Sequence, residues 1–413
     1  MKKIVFASMI VQAMVLSVQA GVTFSDVIIR QRQPWGTQID VWFVMKGADA
    51  PCYVVPTVKL NGEPVSVAGS AVARDNFMQE NGLGHLSIDL SQTSLAGQNV
   101  AGVSIELQTG DPMYRIYDLA YAQRLPDGSC PYTDVLASEL HAGVYGSVAT
   151  NPVSGIQSYV WTAVTNGTTY KYDKIVFRLV RPGTVHDDHE NKDITVAEPY
   201  WGSVFEVTKT QYAFVTNKPS VWNESLPAVN ISYLGMRGMR SEGINYPESG
   251  SQISATAGLN AFRTALGCNR ADLPTIAQWQ YMARAGSTKP YFDNVSDTTV
   301  WPCGSDKYDE GLEPYLTTQF NYKVHTEDYT KKYVKNVGSY PPNAWGFYDV
   351  QGNAWEWVLE PAGTATAPKD PDRYRVSGMA QVVESRCRLG YFEAYSPLDA
   401  GVGNGLRIVM PVE

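Results

Sequence analysis

The pattern of hydrophobic and polar positions divides the chain into segments of different character. Residues 21–110 hold short stretches in which apolar and polar side chains alternate, and Ile39, Val41 and Phe43 fall on one side of such a stretch. A period of two predicts β-strands with one buried face. Because glycine, proline and asparagine separate several strands of this kind, we predict a small all-β immunoglobulin-like sandwich over 21–110.

The second half of the chain predicts helices as well as strands. Thr208 is a predicted N-cap for a helix over 209–215, and residues 254–266 space their apolar side chains as a helix does. A third helix follows Thr275, which forms a capping box with Gln278 three positions later.

Irregular loops rich in tryptophan and tyrosine surround the predicted helices, after a strand over 175–180. We therefore predict an α+β fold overall, with the sandwich at 21–110, a connecting region at 111–173 and a loop-rich domain at 174–413. No stretch after residue 20 is long and apolar enough to predict a membrane span.

The first twenty residues have the features of an export signal. Two lysines precede a mostly apolar run, and Val18 and Ala20 offer small side chains before Gly21. We predict a signal peptide over 1–20, because three polar residues interrupt an apolar run that is short for a membrane anchor. The protein is then secreted, periplasmic or at the cell surface.

Charge and cysteine content limit the remaining possibilities. The formal net charge of −8 and the absence of a basic run argue against nucleic-acid binding. Five cysteines follow the predicted signal, and an oxidising compartment permits disulfides. Cys52 with Cys130 is one conceivable pair, and a pair among Cys268, Cys303 and Cys387 is another, so at least one cysteine is left over.

Two groups of residues are candidates for chemistry. Residues 186–190 combine two histidines with three carboxylates, but a loop fixes ligand angles poorly, so we interpret them as a solvated loop. His85, His141 and His325 stand alone. The segment 352–357 combines a turn, Asn353 and Glu356 with two tryptophans, and its oxygen atoms suit Ca²⁺. The alternative is a buried aromatic turn.

Six ordered motifs from residue 174 onward resemble the formylglycine-generating enzyme family, also called sulfatase-modifying factors. The strongest lies in residues 343–357, which read Asn-Ala-Trp-Gly-Phe-Tyr-Asp-Val-Gln-Gly-Asn-Ala-Trp-Glu-Trp and are called the hallmark segment from here on. The others lie at 205–212, 226–233, 273–286, 337–343 and 405–409. The resemblance implies a loop-rich, C-type-lectin-like α+β domain.

The resemblance also implies metal positions and a catalytic site. It places a structural calcium at Asn353, Ala354 and Glu356, with a second site near Asn321. Active members of the family hold copper with two cysteines five residues apart, after a serine. In this chain those positions are Val382 and Cys387, with Met379 for the serine. Because one thiolate cannot give the two-sulfur geometry of Cu(I), we predict that copper and formylglycine generation are absent and assign no catalytic residue, unless Cys387 is active.

Three functions remain open from the sequence. The first is a non-catalytic module that binds a protein or glycan through the stretch 377–404, where the candidate contact residues are Arg388, Tyr391, Phe392 and Tyr395. The second is an enzyme of the family with altered chemistry, for example the oxidation of a cysteine in exported sulfatases. The third is a structural envelope protein.

Overall fold

The computed structural model describes residues 5–6, 21–33, 36–48, 52–67, 71–75, 79–110, 112–120, 124–136, 147–150, 157–160, 169–187, 190–217, 225–289, 291, 320–323, 333–363 and 370–412. Of the predicted signal peptide, only Val5 and Phe6 fall within these ranges, and they pair in parallel with Asn99 and Val100. His141, Cys303, His325 and parts of the connecting region lie outside them.

The helices of the described residues are α1 (Lys209–Thr216), α2 (Tyr233–Arg237), α3 (Gly258–Leu266) and α4 (Ile276–Arg284). Short 3-10 turns cover Thr169–Lys171, Arg240–Glu242 and Glu384–Cys387. The described ranges hold no helix that is both long and apolar enough to cross a bilayer.

The first eleven strands are β1 (Val5–Phe6), β2 (Thr23–Gln31), β3 (Gln38–Lys46), β4 (Val54–Leu60), β5 (Glu63–Pro64), β6 (Val72–Arg74), β7 (Gly82–Asp89), β8 (Asn99–Val100), β9 (Val103–Thr109), β10 (Pro112–Asp118) and β11 (Tyr132–Leu136). The others are β12 (Ser147–Thr150), β13 (Gln157–Val160), β14 (Lys174–Val180), β15 (Gly183–Asp187), β16 (Lys192–Val196), β17 (Tyr200–Ser203), β18 (Trp355–Pro361), β19 (Arg373–Val376), β20 (Glu393–Tyr395), β21 (Asn404–Gly405) and β22 (Val409–Pro411).

The chain forms two compact units. The first comprises Met1–Ile116, Pro131–Glu139 and Val412–Glu413. Within it, one sheet has the order β2-β3-β7-β6 and another the order β5-β4-β9. Both sheets contribute to a single apolar core, in which Ile39, Val41 and Phe43 are fully buried, as their alternation predicts. An immunoglobulin-like topology stays a prediction for this unit.

The second unit comprises Tyr117–Cys130 and Leu140–Pro411. Its strand β17 lies between β14 and β22, and a separate sheet has the order β20-β19-β18-β21. Trp279 of α4, Phe347 of the hallmark segment and Val358 of β18 share one core and are fully buried. The fold is therefore a mixture of strands and helices in which sheets predominate.

Side-chain caps fix the starts of two helices where the sequence predicts them. The hydroxyl of Thr275 accepts from the Gln278 amide at 3.1 Å, and the Gln278 side chain accepts from the Thr275 amide. Thr208 and Gln211 form the same box at α1. The helix predicted over 254–266 begins only at Gly258. The Ser254 amide instead donates to the carbonyl of Arg237, so residues before Gly258 are not helical.

The four cysteines within the described ranges, Cys52, Cys130, Cys268 and Cys387, are buried, and no disulfide joins any two of them. Cys52 packs in the core of the first unit, where its sulfur lies 3.6 Å from that of Met45. The disulfide considered for Cys52 and Cys130 is therefore not formed.

Candidate functional site

The hallmark segment turns sharply at Gly352 and Asn353. Their φ angles are +73° and +64°, a conformation that glycine and asparagine adopt more easily than other residues. The amide of Asn353 donates to the carbonyl of Asn321 at 2.9 Å. A Cβ atom at Gly352 would collide with that carbonyl. The two segments are therefore held in backbone contact by a position that needs glycine.

A buried carboxylate holds the far side of this turn. The two oxygens of Glu206 accept from the Asn353 side-chain amide at 2.6 Å and from the Ala354 backbone amide at 2.9 Å. Burial raises the pKa of Glu206 well above its usual range, and the negative charges of Asp349 and Glu356 add to that shift. Nothing in the spacing of the sequence connects residue 206 with residue 353.

Glu356 forms a fully buried ion pair with Arg407. Its carboxylate accepts from Arg407 at 2.8 to 3.2 Å and from the indole nitrogen of Trp279 at 2.7 Å. The side chains of Glu356 and Arg407 are both 0% exposed. An ion pair of this kind tolerates the loss of neither partner, because the other charge would remain buried and unpaired.

Asp349 completes a group of buried carboxylates. It accepts from the amide of Gly338 at 2.6 Å. Burial raises the pKa of Asp349 to about 6, although the Gly338 amide, Arg407 and Lys171 oppose the shift. The interior beside the hallmark segment therefore contains several ionisable side chains and is not purely apolar.

The structure brings the four residues predicted to bind calcium together, but it uses most of their lone pairs. The Asn353 side-chain oxygen accepts from the Lys335 amide at 2.8 Å and from the Asn321 side-chain amide at 3.2 Å. Both oxygens of Glu356 face Arg407. The Asn321 side-chain oxygen has no hydrogen-bond partner among the described residues. The side chains of Asn353 and Glu356 as arranged do not fit a calcium ion, and calcium binding stays a prediction from the sequence.

The positions of the family's catalytic groups form no thiol pair here. Val382 is half-buried, and Cys387 is fully buried with its sulfur 3.9 Å from the Val383 carbonyl. Burial raises the pKa of Cys387, and the nearby charge of Glu384 raises it further. Gly378 lies against this sulfur, since a Cβ there would come within 2.5 Å of it. Met379 packs its own sulfur against Gly403.

The four predicted contact residues occupy different environments. Arg388 is buried, and its Nε atom donates to the Ser385 carbonyl at 2.7 Å. Phe392 is half-buried and packs edge-on against Tyr374. Tyr391 and Tyr395 are half-buried and lie at either end of a stack around Arg375.

In this stack the Arg375 guanidinium lies 3.5 Å from the Tyr395 ring centre and 4.6 Å from that of Trp355. The ring of Tyr391 lies 6.2 Å from that of Trp355. The indole nitrogen of Trp355 is buried and has no hydrogen-bond partner among the described residues. The stack therefore holds one unused donor next to a cation.

Three large apolar side chains are exposed in loops of the second unit. Tyr333, Leu398 and Val402 are 70%, 67% and 71% exposed, and they are half of the exposed large hydrophobic side chains in the described ranges. Hydrogen bonds connect their segments to the turn: Asn321 donates to the Tyr333 carbonyl, and Trp355 donates to the Gly403 carbonyl. The sequence alone does not reveal these side chains as exposed, because apolar residues in loops are as often buried. We call Tyr333, Val382, Leu398 and Val402 the apolar rim.

The structure differs from the prediction that residues 186–190 form a solvated loop. His186 lies at the end of β15 and bonds Asp193, but Asp187 is 0% exposed and forms an ion pair with Arg284. Asp187 is therefore part of the core and not of a solvated loop. Asp188 and His189 lie outside the described residues.

The relatives of this chain agree with the motifs. The chain is 25% identical over 272 residues to a "Chaperone protein LppX" of Paenibacillus barcinonensis, a match that covers 59% of this chain and 92% of that protein. It is 29% identical over 126 residues to the formylglycine-generating enzyme of Bos taurus, covering 28% of this chain and 31% of the enzyme. A third relative, the formylglycine-generating enzyme of Thermomonospora curvata, is 31% identical over 91 residues and covers 21% of this chain and 26% of that enzyme.

Solved structures resemble the chain more distantly. PvdO from Pseudomonas aeruginosa superposes with a TM-score of 0.40 at 17% identity, covering 65% of this chain and 98% of that one. Treponema denticola variable protein 1 gives a TM-score of 0.38 at 16% identity, covering 58% of this chain and 96% of that one.

The sequence model of the protein family described as the sulfatase-modifying factor enzyme 1-like domain matches residues 164–409, more than half of the chain. The chain therefore belongs to the sulfatase-modifying factor family, which is also called the formylglycine-generating enzyme family.

Proposed function

We propose that this protein is an exported, non-catalytic member of its family that binds a polypeptide partner at the apolar rim. The observation that carries the proposal is the pair Val382 and Cys387: an aliphatic side chain occupies one thiol position, and the other thiol is buried.

The proposal excludes copper-thiolate chemistry at these two positions. A reactive cysteine needs an exposed thiolate, whereas burial raises the pKa of Cys387 and its sulfur faces a backbone carbonyl. Met379 offers no hydroxyl, and Val382 offers no metal ligand. A cysteine substrate would therefore meet neither a second sulfur nor a proton carrier here.

The apolar rim has the composition of a protein contact surface. Exposed apolar side chains indicate a protein-binding site when they form a patch, and single ones are common on any protein. Lys335 and Arg386 are exposed basic residues of the same unit, and Arg386 is paired with Glu393 at 3.1 Å. Aromatic side chains are typical of binding hot spots, and Tyr391 and Tyr395, both half-buried, are the parts of the stack that remain accessible.

Two further observations support a polypeptide partner met outside the cytoplasm. One relative that aligns over most of its own length bears the name of a chaperone protein. Residues 1–20 of this chain have the charge and hydrophobicity pattern of a signal peptide. A glycan partner is the alternative, since the family fold resembles that of lectins.

The first experiment tests for catalysis. The purified chain is incubated with copper and a peptide carrying a sulfatase-type cysteine motif, and the peptide mass is followed. We expect no change. Conversion of the cysteine to formylglycine would overturn the proposal.

The second experiment tests for binding. Arrays of peptides and of glycans are probed with the wild-type chain and with Val402→Asp and Leu398→Asp variants. Leu83→Asp is the matched control, because Leu83 is 79% exposed in the first unit. We expect binding to apolar peptides, weakened roughly tenfold by the rim variants and unchanged by the control. Binding to glycans alone, or equal peptide binding by all variants, contradicts the proposal.

A further inference from the structure

The hallmark segment lies against the fully buried side chain of Arg407. Arg407 is 0% exposed, and oxygen atoms from three parts of the chain surround its guanidinium. Its Nη1 atom donates to the Ser203 and Val204 carbonyls at 2.8 and 2.9 Å. Its Nη2 atom donates to the Tyr348 carbonyl at 2.8 Å, and Glu356 supplies two further oxygens.

These five oxygens are of the same kind as those that bind calcium. Calcium in proteins takes six to eight carboxylate and carbonyl oxygens, often from separate chain segments. Here a carboxylate and three backbone carbonyls converge on a guanidinium that already supplies the positive charge. Arginine does this well because its five N–H groups are fixed in a planar fork.

The carboxylate of Glu356 has no lone pair left for a second cation. Its two oxygens receive four hydrogen bonds, three from Arg407 and one from the Trp279 indole. A carboxylate offers about four acceptor positions, so a calcium ion would have to displace one of these donors. It would also lie close to a buried guanidinium of like charge, which is costly in a medium of low dielectric constant.

The side chain of Asn353, another predicted calcium ligand, is also directed at donors. Its oxygen receives two N–H groups, one from Lys335 and one from Asn321. Its amide nitrogen donates to Glu206. A calcium ion at Asn353 would therefore have to displace one of these donors.

We infer that Arg407, rather than a calcium ion, is the cation that holds the hallmark segment of this chain. Glu356 is then a partner of arginine and not a metal ligand. The inference does not depend on the proposed function, because it concerns what stabilises the turn and not what the surface binds.

The experiment compares calcium content and thermal unfolding in the wild-type chain and two variants. Calcium is measured by elemental mass spectrometry after loading and desalting, and Tm is measured in calcium and in EDTA. Glu356→Gln keeps the shape of the side chain and removes its charge. Arg407→Lys keeps the charge and removes the planar fork.

We expect the wild-type chain and Glu356→Gln to hold the same amount of calcium. We also expect Arg407→Lys to lower Tm by roughly 10 °C to the same extent in calcium and in EDTA. Arg284→Lys is the matched control, since Arg284 forms another fully buried ion pair, with Asp187. Its Tm should fall without any change in calcium content.

Calcium that is present in the wild-type chain and lost in Glu356→Gln would overturn the inference. A fall in wild-type Tm in EDTA that disappears in Glu356→Gln would do the same. If Glu356→Gln does not fold, Arg407→Lys decides, because a calcium-held turn would unfold earlier in EDTA and an arginine-held turn would not.

Discussion

The side chain of Asn343 closes the end of α4 from a distance of about sixty residues in sequence. Its amide nitrogen donates to the carbonyls of Met282 and Ala283 at 2.8 and 2.9 Å. Its oxygen accepts from the Trp345 and Phe347 amides at 3.1 and 3.0 Å. The last carbonyls of a helix lack partners within the helix. One asparagine therefore satisfies the helix end and shapes the start of the hallmark segment.

Replacing Asn343 should be costly. In Asn343→Ala, four buried backbone groups lose a partner, so we expect a loss of about 3 kcal/mol or more in the free energy of unfolding. Urea denaturation measures it. Asn336→Ala, at an exposed asparagine, is the control and should change stability little. A loss below about 1 kcal/mol for Asn343→Ala would show that water replaces these bonds.

Gly378 should not tolerate even one methyl group. Its φ is +77°, and a Cβ atom would come within 2.5 Å of the Cys387 sulfur and 2.9 Å of the Arg386 carbonyl. We expect Gly378→Ala to cost about 3 kcal/mol, from backbone strain together with overpacking. Chemical denaturation gives this value.

Gly363 separates the two contributions. Its φ is +90°, but no atom of the described residues lies within 4 Å of the place that a Cβ would occupy, so Gly363→Ala should cost only about 1 kcal/mol. Adding Cys387→Ala should recover part of the loss in Gly378→Ala, since it removes one of the two close contacts. Equal costs at both glycines would contradict the overpacking argument.

Cys387 should be unreactive in the folded chain. Its thiol is fully buried and burial raises its pKa, so little thiolate forms near pH 8. We expect iodoacetamide to label the peptide containing Cys387 only after denaturation, as peptide mass spectrometry would reveal. Cys130, whose pKa burial raises to about 11, should behave alike. Rapid labelling of native Cys387 would instead favour a catalytic role.

Asp349 should make the chain less stable as pH rises. Its folded pKa is raised from 3.8 to about 6, so the native state binds more protons than the unfolded state between these values. Its contribution to the free energy of unfolding therefore falls as pH rises from 4 to 6, by on the order of 3 kcal/mol. Glu206, whose pKa is raised for the same reason, should act in the same direction.

The test compares the pH dependence of stability in the wild-type chain and in Asp349→Asn. Asparagine is close in shape and tolerates the φ of +52° at this position. We expect the difference in unfolding free energy between the two proteins to change with pH in the predicted direction. Parallel pH profiles would mean that Asp349 keeps an ordinary pKa.

Local sequence signals predicted the local structure well. The capping box of Thr275 and Gln278 specifies its helix through contacts within one turn, and the alternation of Ile39, Val41 and Phe43 specifies a buried strand face. Such signals involve neighbours in sequence, so a single chain reveals them. The motifs that indicated the family were of the same kind.

The partners in the site could not be predicted in this way. Glu206 and Asn353 are 147 positions apart, and Glu356 and Arg407 are 51 apart. Only the tertiary fold shows that the oxygens of Glu356 face a guanidinium. Asp187 was assigned to a solvated loop because its neighbours are polar, and its buried partner Arg284 is 97 positions away. A polar run does not show which of its members turns inward.

The contacts of Arg407 also constrain the order in which the second unit can fold. Its oxygen partners come from residues 203, 204, 348 and 356, which a ribosome delivers well before residue 407. Until then the Glu356 carboxylate has no counter-charge and cannot be buried cheaply. The native burial of Glu356 therefore waits for the segment that carries Arg407, which places the completion of the hallmark segment late in synthesis.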